Sequence, residues 1–67
     1  MSNFIGSELH KSIESAKHNH EALSNKKLYI NIAIRHWNKE CDYEQVTFFS
    51  DALNLVNRYL KYEKQTS

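Results

Sequence analysis

Apolar residues recur at steps of three and four along most of this chain, the spacing that gathers side chains onto one face of an α-helix. The densest stretch runs from Asp42 to Tyr62 and carries two such seams. Val46, Phe49, Leu53, Val56 and Leu60 form one, and Phe48, Ala52, Leu55, Tyr59 and Tyr62 repeat the rhythm beside it. An ordinary surface helix presents a single apolar stripe to its core, so a second stripe calls for a second partner. The pattern predicts that the first seam closes the protomer's core and that the second meets another copy of the chain, in a homodimer formed through the third helix.

Upstream, Ser7 reads as an N-cap with Glu8 in the first turn, where a negative charge favours the helix dipole. A first helix over about 7–18 follows, with Leu9, Ile13 and Ala16 on its apolar side, and the weak helix propensity of His18-Asn19-His20 ends it. Ser24 reads as the next cap, with Leu23 placed to staple onto Leu28. A second helix is predicted over about 25–39, where Leu28, Tyr29, Ile30, Ile32, Ala33, Ile34 and Trp37 occupy much of the circumference of a central element. Ile30, Ile32 and Ile34 also alternate as a strand would, but no other segment offers a partner strand. Asp42 with Gln45 three positions later marks a capping box for a third helix over about 43–63. Residues 1–6 and 65–67 are expected to be loose, with Phe4 and Ile5 able to dock.

The absence of proline and the single glycine, Gly6, leave few places for tight hairpins. The chain therefore reads as all-α: one helical domain over 1–67, a three-helix protomer with short connections and antiparallel neighbours. The expected core is Leu9, Ile13, Leu28, Ile32, Trp37, Val46, Phe49, Leu53, Val56 and Leu60.

Length sharpens the case for a partner. A 67-residue chain buries only about 60% of the surface its unfolded form exposes, and domains of this size usually add disulfides, a metal or a partner subunit. Cys41 is the one cysteine, so an internal disulfide is excluded. A lone cysteine and an N-terminus without the basic and apolar regions of a signal peptide suit a reducing, cytoplasmic setting. No apolar run approaches the length of a membrane span.

Nine basic and eight acidic residues give a formal charge of +1, without the global pull toward phosphate of a strongly basic nucleic-acid binder. Lys26, Lys27, Arg35 and Lys39 on the second helix are the candidate nucleic-acid contacts, with Arg58, Lys61 and Lys64 as a further basic group. Glu40, Asp42, Glu44, Asp51 and Glu63 dilute that field, and a solvated helix face is the plainer account. The apolar content of the third helix also argues against its serving as a recognition helix in a DNA groove.

Candidate chemistry is sparse. His10, His18, His20, His36 and Cys41 lack the spacing of a zinc knuckle or a metalloprotease helix, so His18 and His20 read as solvated loop residues. Cys41 reads as half-buried between two helices, and the carboxylates of Glu40, Asp42 and Glu44 as helix-capping charges. No phosphate loop, serine elbow or nucleotide fingerprint is present. A non-enzyme without catalytic, cofactor or metal residues is expected.

The order of motifs adds a family. Leu9 and Ile13, a polar loop, Leu23-Ser24-Asn25-Lys26-Lys27-Leu28, then Ile32 and the run Ala52-Leu53-Asn54-Leu55-Val56, resemble the YmgB/AriR and YcgZ family of small helical biofilm and acid-resistance regulators. The resemblance spans Leu9 to Tyr59 and is most specific at Leu23 to Leu28. The chain departs from it in having His18-Asn19-His20 where relatives tend to carry glycine, and in needing an insertion around Trp37 to Tyr43. The resemblance implies an all-helical bacterial homodimer acting as a regulatory adaptor in two-component signalling or biofilm and stress regulation, by protein-protein contact with a regulatory protein. Two other functions fit the residues: a small DNA-binding accessory regulator, and a phage- or plasmid-encoded inhibitor or chaperone of one host protein.

Overall fold

A computed structural model describes residues 3–66, with side chains described as far as Lys61. Three helices make up the fold: α1 (Glu8–Ser15), α2 (His20–Lys39) and α3 (Tyr43–Thr66). No strand is present among the described residues, so the chain is all-α. The early residues of α2, from His20 to Asn31, share a groove with Asn57, Leu60 and Lys61 late in α3, which makes the two long helices antiparallel. Phe4 lies against Phe48, and Glu14 reaches Tyr59, so α1 runs in the same direction as α3. The molecule extends 39 × 21 × 15 Å, with α1 covering only part of the hairpin made by α2 and α3.

Local chemistry sets each boundary. Phe4 to Ser7 form a turn closed by the Ser7 amide donating to the Phe4 carbonyl at 3.0 Å, and Gly6 supplies the positive φ of 86° that this turn requires at its third position. The turn folds the Phe4 ring back onto the core, where it is almost fully buried. Ser7 then caps α1, its hydroxyl accepting from the His10 amide at 3.2 Å.

The α1–α2 boundary differs from the expected one. α1 stops at Ser15, and α2 begins at His20, five residues earlier than predicted. Asn19 is the cap, its side-chain oxygen accepting from the Ala22 amide at 3.1 Å, and Glu21 lies in the first turn. Asparagine is as strong a cap as serine, and starting here lets Leu23 enter the core as a helical residue in register with Ile30. Ser24 is an exposed position within α2.

α2 ends in a Schellman arrangement. The Asp42 amide donates to the Trp37 carbonyl at 3.0 Å and the Cys41 amide to the Asn38 carbonyl at 3.1 Å, with Cys41 in the left-handed region at φ 61°. Asp42 immediately caps α3, its carboxylate accepting from the Gln45 amide at 3.3 Å. Cys41 is thus exposed at the helix terminus, where the sequence suggested a half-buried position between helices.

The core consists of Phe4, Ile13, Ala16, Leu23, Ile30, Ala52 and Val56. Of the expected core, Ile13 and Val56 are buried, Leu9, Phe49, Leu53 and Leu60 pack on the cluster half-buried, and Trp37 and Val46 are half-exposed near the α2–α3 connection. Leu28 and Ile32 correct the expectation: they are 66% and 62% exposed. Leu23, Ile30 and Ile34 define the inward face of α2, and a helical repeat of 3.6 residues sends Leu28 and Ile32 to the other side.

Candidate interaction surfaces

The two seams of α3 share one broad face, and both meet their own chain. α2 covers the first, with Tyr29 edge-on to Phe49 at a centroid distance of 6.2 Å. α1 and the N-terminal turn lie on the second. Ala52 is wholly buried there, and Phe48, Leu55 and Tyr59 pack half-buried around it. Phe4 sits edge-on to Phe48 at 5.7 Å, and Phe48 in turn to Phe49 at 5.1 Å. The expected interface residue Tyr62 has its side chain outside the described residues. A wide apolar face on α3 thus serves two helices at once, an arrangement that the seams alone leave open because they do not name their partners.

A polar clamp closes the α1–α3 contact. The Tyr59 hydroxyl donates to Glu14 Oε2 at 2.6 Å, and Glu14 Oε1 lies 3.3 Å from His10 Nε2. The Gly6 amide donates to His10 Nδ1 at 3.0 Å, which leaves Nε2 facing the carboxylate. The Tyr59 hydrogen bond holds the Glu14 carboxyl below the usual carboxylate range, assisted by His10 and Lys17. That same bond, with desolvation, raises the Tyr59 phenol above its ordinary value. One network therefore links the turn at Gly6, the middle of α1 and the later part of α3.

The basic residues of α2 are split between its sides. Lys26 turns toward α1 and donates to Ser12 Oγ at 2.6 Å. Lys27 lines an open groove of about 570 Å³ between α2 and α3, together with His20, Asn31, Leu60 and Lys61. Arg35 and Lys39 are exposed in the later half of the helix. The four cations do not form one continuous stripe: Arg35 and Lys39 share a face one turn apart, whereas Lys26 is drawn toward α1 and Lys27 lines the groove beside α3.

A group of adjoining uncovered apolar side chains lies on the outer side of α2. Leu28 and Ile32 are one turn apart, Tyr29 beside them is 59% exposed, and Asn25, Arg35 and Lys39 continue the face toward both ends. Ile5 and Tyr43 are also exposed, at the N-terminal turn and at the start of α3. Among the described residues, no group of three or more histidine, cysteine, aspartate or glutamate side chains is placed to hold a metal ion. No helix among them is long and apolar enough to cross a membrane. Comparison with protein-family models, curated proteins and solved structures finds no match to this chain.

Proposed function

We propose that this chain is a non-catalytic regulatory adaptor that forms a homodimer and acts by protein-protein contact. The observation that carries the reading is the outer face of α2, where Leu28, Tyr29 and Ile32 stay largely in solvent on a chain too small to cover them. Leaving a leucine and an isoleucine about two-thirds exposed one turn apart forgoes roughly 1–2 kcal/mol of burial per side chain, which association recovers. Adjoining exposed apolar residues of this kind are a mark of contact surfaces.

The regulatory assignment rests on the resemblance of Leu9 to Tyr59 to the YmgB/AriR and YcgZ regulators. It places the adaptor in two-component signalling or in biofilm and stress regulation, in the bacterial cytoplasm. Sedimentation equilibrium on the intact chain is the direct test of assembly. A species of twice the protomer mass of 7.9 kDa, growing with concentration between about 5 and 500 µM, is expected. A single species of protomer mass throughout that range refutes the dimeric reading.

A further inference from the structure

We infer that a second copy of this chain docks on the outer face of α2, with the two α2 helices antiparallel about a two-fold axis beside Ile30. This rests on the dimeric reading above and assigns its surface. It also moves that surface from α3, whose second seam is already occupied by α1 and the N-terminal turn.

The register follows from spacing and charge. Glu21, Asn25, Leu28, Ile32, Arg35 and Lys39 follow one another at alternating steps of four and three, the repeat of a helix-pairing seam, and all six are exposed. The seam is symmetric about Ile30 in position and opposite in charge at its two ends: acidic at Glu21, basic at Arg35 and Lys39. A parallel copy would set Glu21 against Glu21 and Lys39 against Lys39. An antiparallel copy sets Leu28 against the partner's Ile32, Asn25 against the partner's Arg35 and Glu21 against the partner's Lys39, each contact occurring twice. The face is therefore complementary to itself in one orientation, and a second copy satisfies it without requiring any other partner's sequence.

Tyr29 borders the seam at its centre, beside the axis, and shields the leucine-isoleucine layer from one side. α2 is 20 residues long, which gives a contact about 30 Å in extent. Two leucines, two isoleucines and two tyrosines make a narrower contact than the roughly 1,600 Å² of a standard stable interface.

The experiment is sedimentation equilibrium on the full chain and its variants, with far-UV circular dichroism on each to confirm helicity. Leu28→Glu and Ile32→Glu, both at solvent-facing positions, are each expected to raise the dissociation constant at least about tenfold. The charge swaps supply the orientation. Glu21→Lys alone and Lys39→Glu alone are each expected to weaken the dimer by roughly three- to tenfold, and the two together in one chain to restore it. A dimer that is indifferent to Leu28→Glu and Ile32→Glu overturns the assignment to α2 while leaving the dimeric reading standing. Sensitivity to those substitutions without rescue by the double charge swap overturns the antiparallel register. If either apolar variant loses helicity, the charge-swap set decides by the same criteria. A wild-type chain that stays monomeric refutes the dimeric reading, and this surface with it.

Discussion

Tyr59 and Glu14, 45 residues apart in the chain, meet at 2.6 Å with the phenol as donor and the carboxylate as acceptor. This is the polar contact that fixes a helix of only eight residues against one of 24. Tyr59→Phe keeps the ring on the apolar face and removes only the hydroxyl. We expect a lower melting temperature with little change in total helicity at low temperature. Tyr59→Glu sets a second carboxylate against Glu14 and is expected to lower it further, measured by thermal denaturation followed by circular dichroism.

The same pair gives stability a two-sided pH dependence. Glu14 titrates in the folded chain below its ordinary 4.5, so its contribution is complete above that value and is lost as the pH falls through the folded pKa. Tyr59 titrates above its ordinary 10.0, so its contribution is complete below 10.0 and is lost as the pH rises through the folded pKa. Melting temperatures measured across the acidic and alkaline ranges should fall at both edges, and less steeply at both in Tyr59→Phe. Unchanged steepness in the variant would show that other groups govern the edges.

Cys41 occupies the left-handed position of a Schellman motif that glycine fills more easily. Its side chain is exposed, so replacing it removes backbone strain without disturbing the core. Cys41→Gly is expected to stabilise the fold by about 0.5–1 kcal/mol, net of the glycine's greater freedom when unfolded. Urea denaturation reads this as a raised midpoint at constant slope.

Gly6 tests the same physics in reverse. A Cβ there would meet no atom within 4 Å, so steric contact is not the obstacle, but φ is +86°. Gly6→Ala is expected to cost about 1 kcal/mol through backbone strain and to loosen the turn that seats Phe4. Chemical denaturation measures the cost.

Ile30 and Ile32 are the same residue two positions apart, and they should behave as opposites. Ile30 is fully buried, and its truncation to alanine is expected to cost about 2–4 kcal/mol of stability. Ile32 is 62% exposed, and Ile32→Ala should change protomer stability by no more than about 0.5 kcal/mol. Denaturation at low concentration, where the protomer is the reference, separates the two.

Much of the architecture is legible in the residues. The spacing of Val46 to Leu60 gives α3, Asp42 and Gln45 place its start, and Ser7 places that of α1. The start of α2 is harder because Asn19 and Ser24 are both competent caps, and only burial of Leu23 decides between them. The inner face of α2 is ambiguous for a related reason. Ile30 with Ile34 and Leu28 with Ile32 form equally good apolar rows, and which one faces inward depends on how α3 lies. The partner of the second α3 seam is hidden because α1 is only eight residues long and its apolar stripe is thin, and because Phe4, which extends its reach, lies outside the helix in the turn before it.

Asp42 ends one helix and begins the next, its backbone amide closing α2 while its carboxylate caps α3. Loss of order at this residue removes a terminus from both helices together, so the connection has no slack in which one could fray alone. α2 and α3 should therefore exchange their amide hydrogens as one cooperative unit, with the amides of α1 opening first in a separate, less protected class.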